Sequence, residues 1–259
     1  LTEKIVNQAS QWLTYKATPR SSGSRERFEV TSSDNNALFA AIATRYDLLN
    51  HLLSLNIDRR WRKELVRCAG AKPKDRILDL CTGTGDVAIR LAQEDEVGDI
   101  VGIDLSDEML RIARRKTRKN GLGKRITLLR ADALHLPFED NRFDTVTIAF
   151  GLRNIGHHQR GITEMVRVLK KGGQLLILEF SPPGSDLFGV CCRLCLRTII
   201  PAAGGIMSGS SRAYRYLSSS IAAFPGPDEI TKLMETGGLK KLQTQRLTRG
   251  IAYLYRGEK

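Results

Sequence analysis

Arg76-Ile77-Leu78-Asp79-Leu80-Cys81-Thr82-Gly83-Thr84-Gly85-Asp86-Val87 is the stretch on which the fold of this 259-residue chain turns. A short apolar run ends in two closely spaced glycines and then enters an apolar-periodic segment. That pattern reads as a buried strand, a tight turn and a helix. The glycines let the backbone turn sharply and let a ligand approach where no Cβ stands in the way. Outward from this point the alternation persists. The runs 76–80, 100–104, 126–129, 143–150 and 174–180 read as strands. Helices are expected over 58–69, 87–93 and 162–169, after the N-cap type Ser106, and after Pro227. Two β-like runs, 239–247 and 251–256, close the chain. Strands alternating with helices at this spacing predict an α/β fold with a doubly wound parallel sheet.

The glycine turn alone leaves two ligands open. Gly83, Gly85 and Ala88 satisfy a dinucleotide fingerprint, so a nicotinamide dehydrogenase competes with an S-adenosylmethionine-dependent methyltransferase. Asp104, at the end of the second strand, can bridge ribose hydroxyls in either. Three features favour the methyl donor. Asp79 lies four positions before Gly83, where a carboxylate can serve the ammonium end of a methionine moiety. Asp132-Ala133 follows the third strand, where methyltransferases meet the adenine. A seven-strand count ending in a β-pair suits the class I methyltransferase fold, with an antiparallel last strand. The expected cofactor set is therefore Asp79, Gly83, Thr84, Gly85, Asp104, Asp132, Ala133 and Ala149, with S-adenosyl-L-methionine as cofactor.

Bulk properties narrow the setting. Hydrophobic residues make up 41% and charged residues 27%, ordinary for a globular protein. The first twenty residues lack a secretory pattern. The most apolar stretch, 187–206, is broken by Arg193, Arg197 and Pro201, so no membrane span is expected. Five cysteines in a chain this long predict a reducing, cytoplasmic setting rather than a disulfide framework. The net charge of +13 admits nucleic acid, an anionic membrane surface or an acidic substrate. Part of it has a plainer source: 110–125 holds eight basic residues and no acidic one, on one helix and its exit. Charge runs of that kind usually stay solvated.

Outside the turn, four segments resemble the C-methyltransferases of ubiquinone and menaquinone biosynthesis (the UbiE/MenG family). Tyr46-Asp47-Leu48-Leu49-Asn50 with Ser54 and Trp61 is similar to that family's first signature, with Asp58 where the family usually has histidine. Phe150-Gly151-Leu152-Arg153-Asn154 resembles its loop after the fourth strand. Arg167-Val168-Leu169-Lys170-Lys171-Gly172-Gly173, running on to Glu179-Phe180-Ser181, resembles the second signature, Lys171 replacing the common proline. Tyr214-Arg215-Tyr216-Leu217 with Ser220-Ile221 resembles its later helix. The resemblance covers roughly 36–259 and implies methylation of a prenylated quinol ring, demethylmenaquinol to menaquinol or the ubiquinone-pathway equivalent. Methylation of another small phenol or lipid is the alternative. An RNA methyltransferase and a non-catalytic cofactor-binding protein are remoter ones.

Ring-carbon methylation needs an ionised or nearly ionised phenol beside the carbon, which a fixed cation favours. Arg153 is the candidate cation. Asn154 is the candidate to bond the other ring oxygen or an ordered water, and Tyr46 resembles the family tyrosine over the site. The implied partners are the prenylated quinol and, through its tail, a peripheral contact at the inner membrane surface; nucleic acid is not expected, and a homodimer is allowed. No metal site is expected, since Cys191, Cys192 and Cys195 lack a complete ligand set and sit at helical spacing among apolar residues. His157-His158 precede a helix and read as capping or solvated residues. Residues 1–35 read as a flexible arm with a short helix near 5–13, 36–259 as the methyltransferase domain, and 181–224 as a helical cap over the acceptor site.

Overall fold

The computed structural model describes residues 56–94, 97–184, 189–190, 194 and 211–259, with the backbone alone at 211–215 and 217. The expected arm 1–35, the signature residues 46–50 and 54, most of the 181–224 segment and its three cysteines lie outside them. Helix α1 (Asp58–Ala69) sets Trp61, Leu65, Val66 and Ala69 on one buried stripe. It ends at Gly70, whose left-handed backbone lets its N–H bond the Arg67 carbonyl. The quoted stretch then forms strand β1 (Ile77–Leu80) and helix α2 (Asp86–Gln93).

β2 (Ile100–Asp104), α3 (Asp107–Lys119), β3 (Ile126–Arg130) and β4 (Phe143–Ala149) follow. Next come a 3-10 turn (Leu152–Asn154), α4 (His158–Val168) and β5 (Leu169–Phe180). α5 (Ser211–Ala223), α6 (Pro227–Thr236), β6 (Lys240–Leu247) and β7 (Ala252–Glu258) complete the chain.

The seven strands form one sheet in the order β3-β2-β1-β4-β5-β7-β6. β1 pairs in parallel with both β2 and β4, while β7 runs antiparallel to β5 and β6. The chain order reverses between β1 and β4, and such a switch point opens a crevice at the carboxyl ends of the strands. β1 is buried along its whole length because helices cover both of its faces. Leu78 and Leu80 pack toward α4 and α6, among Ile162, Met165, Ile230 and Met234. Ile77 packs to the opposite side, with Trp61 and Leu65 of α1 and Leu91 of α2.

Two boundaries differ from expectation. β5 starts at Leu169 rather than at 174, pairing Phe143 with Leu169 before an irregularity resets the register at Thr145–Gln174. Its first residues are charged or glycine, which hid them from an apolar-run reading; Lys170 is held there by Asp144 at 2.7 Å. α4 starts at His158, four residues before its first apolar position.

Candidate active site

The glycine turn is held by the strand beside it. Asp104, at the end of β2, accepts from the backbone N–H of Gly83 (2.9 Å) on one oxygen and of Ser106 (2.9 Å) on the other. Burial raises its pKa. With the Leu105 N–H also bonded to it, this carboxylate keeps lone-pair capacity for a ligand hydroxyl. Ser106 also caps α3, accepting from the Met109 N–H. From further along α3, Lys116 reaches back to donate to the Thr84 hydroxyl (2.9 Å) and the Asp86 carboxylate (2.7 Å). The turn is thus braced from both sides.

Above it lies an open cleft. Of the residues expected to form a cofactor set, Gly83, Thr84, Asp104, Asp132, Ala133 and Ala149 line it together, and so does Asn154. Asp132 is fixed by accepting the Leu134 N–H at 2.9 Å. Two members of that set stand elsewhere. Gly85 faces α3: a Cβ there would sit 3.2 Å from that of Ala113, on a backbone at φ +86°. That position serves helix packing and the turn. Asp79 lies under the floor, 1% exposed, its oxygens accepting from the hydroxyls of Thr82 (2.6 Å) and Thr147 (2.7 Å). Burial lifts its pKa to about 6. Tyr46 is outside the described residues.

Arg153 departs most from the expectation of a cation facing an acceptor. Its guanidinium turns inward, 2.6 Å from Glu179 and 2.6 Å from the Phe150 carbonyl, with 2% of the side chain exposed. Its charge is neutralised where it stands. Asn154, by contrast, faces the cleft, and its Oδ1 accepts from the Tyr216 hydroxyl of α5 at 3.0 Å. Phe150 between them has φ +58°, an unusual state for a bulky residue, and its N–H bonds the Leu178 carbonyl at 2.7 Å.

Sequence reasoning missed the cation that does line the cleft. Arg62 lies over the Phe150 ring, 5.1 Å from its centre, with its Nε 3.5 Å from the buried Asp58. The i, i+4 spacing of Asp58 and Arg62 was the available signal. Lys116 was lost within a basic run. Tyr216 stood in a quoted motif without a role. Among the described residues no cluster of His, Cys, Asp and Glu could hold a metal.

The electrostatics of the cleft separate the two ligands that the glycine pattern left open. Asp86, Asp104 and Asp132 line it, Asp79 lies beneath, and Arg62 is the one cation among the described residues that line it. A cationic sulfonium and ammonium suit such a lining; the pyrophosphate of a dinucleotide does not. The donor set therefore fits S-adenosylmethionine. The strand order, the reversed last strand and this cleft define a class I S-adenosylmethionine-dependent methyltransferase. Residues 28–259 match the model of the ubiE/COQ5 methyltransferase family, and the chain belongs to that family.

Relatives agree. A protein of Thermus thermophilus named demethylmenaquinone methyltransferase is 45% identical over 86% of this chain and 100% of its own length. A Stutzerimonas stutzeri protein named ubiquinone/menaquinone biosynthesis C-methyltransferase UbiE is 37% identical over 95% of this chain and 93% of its own. Among solved structures, a Thermotoga maritima S-adenosylmethionine-dependent methyltransferase, described as a possible histamine N-methyltransferase, superposes with a TM-score of 0.60. It covers 86% of this chain and 99% of its own at 20% identity, a likeness of fold.

Proposed function

We propose that the protein methylates a ring carbon of a prenylated quinol, with demethylmenaquinol as acceptor and menaquinol as product. The observation that carries this acceptor is the 45% identity, over the whole length of the Thermus protein, to a chain named for demethylmenaquinone. The bound donor supplies an electrophilic sulfonium methyl. Everything else falls to the protein's own side chains.

Asp104 takes the ribose hydroxyls, and Asp132 with Ala133 the adenine edge, while Gly83, Thr84 and Ala149 shape the bed between them. Arg62 takes the methionine carboxylate. The buried Asp79 carboxylate under Thr82 would favour a positively charged donor in the cleft. Asn154, its amide oriented by the Tyr216 hydroxyl, bonds a ring oxygen or the water that removes its proton. Ionising that oxygen moves electron density to the neighbouring carbon, which would take the methyl as the methyl–sulfur bond breaks, the bonding pair staying on the sulfur, and would then release its own hydrogen as a proton. Tyr46, outside the described residues, is assigned to the acceptor by the resemblance of its segment to the family's first signature.

Arg153 is reassigned as a positioning residue: through Glu179 and the Phe150 carbonyl it holds the loop that carries Asn154. Orientation of this kind acts by keeping the reacting atoms aligned. A quinol tail dissolved in a bilayer brings the protein, cytoplasmic in this reading, to a membrane surface. No helix among the described residues is long and apolar enough to cross one. The test is mass spectrometry of the quinones in cells lacking the protein. Accumulated demethylmenaquinone is the expected result, and an unchanged quinone profile overturns the assignment.

A further inference from the structure

The protein carries two exposed basic faces, and they point in different directions. One is the outer side of α3, with Arg111, Arg115, Arg118 and Lys119 exposed. α3 starts at the cleft, beside Asp104, and runs to the opposite end of the sheet, where the Arg125 carbonyl accepts the N–H of Ile100 at the start of β2. Its charge therefore gathers away from the cleft mouth.

The other face surrounds the cleft end. α1 begins there, since Arg62 lines the cleft, while the Ala69 carbonyl at its far end is bonded by Gln174 near the opposite edge of the sheet. Arg59, Arg60 and Lys63, in its first two turns, are exposed. Between them, the Trp61 indole N–H donates to the Thr248 hydroxyl at 2.9 Å. That bond pins α1 to the tip of the β6–β7 hairpin. The tip lies at the carboxyl end of β5, where Phe180 pairs with Ala252 and the Ser181 N–H bonds the Ile251 carbonyl. It adds exposed Arg246 and Arg249.

Among the described acids at this end, Asp58 is buried against Arg62, Glu64 is held by Arg67 and Gln245, Asp86 by Lys116 and Asp107 by Arg130, while Glu108 and Asp132 follow β2 and β3, across the sheet from the hairpin. Asp228 and Glu229 open α6, which packs on the other face of the sheet. Beyond β5, where Gly189 packs against Gly184, come Val190 and Leu194, 47% and 61% exposed. Among the described residues these are the exposed large hydrophobics.

We infer that the cleft end, through α1, the hairpin tip and the exposed Val190 and Leu194 beyond β5, is a docking surface for an anionic lipid bilayer. Basic side chains beside exposed apolar ones are the combination that holds a protein in the headgroup region. Docked this way, the cleft opens toward the lipid; docked through α3, it opens away. The proposal rests on the prenylated-quinol reading of the site.

The test compares two variants of equal charge loss in sedimentation with phosphatidylcholine vesicles, with and without phosphatidylglycerol. One is Arg59→Ser/Arg60→Ser/Lys63→Ser/Arg249→Ser; the other is Arg111→Ser/Arg115→Ser/Arg118→Ser/Lys119→Ser. The unsubstituted protein should bind only the anionic vesicles. The first variant should lose roughly two orders of magnitude in affinity, and the second only a few-fold. Both should keep donor binding and turnover on a short-tailed quinol in detergent, which reports the substrate reading separately. Equal losses in both variants, no preference for anionic vesicles, or a first variant impaired in RNA binding but not in vesicle binding would each overturn the proposal.

Discussion

Two buried charges near the cleft make opposite demands on the fold. Asp79 is ionised at neutral pH against its surroundings, because burial has raised its pKa from 3.8 to about 6. A carboxyl raised in this way favours the folded state fully below its unfolded pKa. That contribution is lost as pH rises from about 4 through 6. The shift amounts to roughly 3 kcal/mol. Asp79→Asn should therefore stabilise the donor-free protein at pH 8 by about 1–3 kcal/mol, the gain vanishing near pH 4 in thermal melts. Calorimetry should find donor affinity lowered by about ten- to thirtyfold, since the charge under the ammonium is gone. Arg153 is the reverse case. Arg153→Ala leaves Glu179 buried without its partner, and denaturant unfolding should record a loss of about 3–5 kcal/mol. Arg153→Leu/Glu179→Leu should recover most of that stability without recovering turnover, because the Phe150 carbonyl stays unheld.

At the scale of elements, the loops after β1 and β4 fit against each other with no space to spare. A Cβ on Gly151 would fall 2.4 Å from the Cβ of Cys81, a residue that itself has φ +50°. Gly151→Ala should destabilise by about 1–3 kcal/mol. Adding Cys81→Gly should restore melting temperature, since it removes the clash and suits the left-handed backbone. The brace from α3 is a different kind of contact. The Lys116–Asp86 pair is about a third exposed, so Lys116→Met should barely change the melting temperature. It should raise the KM for the donor by about three- to tenfold, with kcat nearly unchanged.

The parallel strands and their helices were legible because burial on both faces writes itself as short apolar runs between turn residues. The charged start of β5 was not, since Lys170 and Lys171 belong to a strand only through pairing with distant chain. The same holds at the site. Asp104 and Asp132 follow from strand-end positions. The inward turn of Arg153 depends on Glu179, 26 residues away, and the approach of Arg62 depends on how α1 packs. Pairing between remote segments leaves no local trace.

The whole molecule carries a net charge of +13, yet the charged groups among the described residues that line its cleft are three carboxylates and one guanidinium. That contrast reaches Cys81, the one cysteine among the described residues that line the cleft. The Cys81 thiol has its pKa raised well above 9.0, by burial first and then by Asp104, Asp79, Glu179 and Asp132. A quinol with an unmethylated ring position becomes, once oxidised, an electrophile that adds thiolates and forms a carbon–sulfur bond. Thiols held in the neutral form react slowly in such additions. The same carboxylates that suit the cleft to a cationic donor thereby make it tolerant of its acceptor's oxidised form. Incubation with a short-tailed naphthoquinone, followed by peptide mass mapping, should leave Cys81 unmodified while a small-molecule thiol in the same tube is consumed. Alkylation of Cys81 at the rate of that free thiol would contradict this chemical immunity.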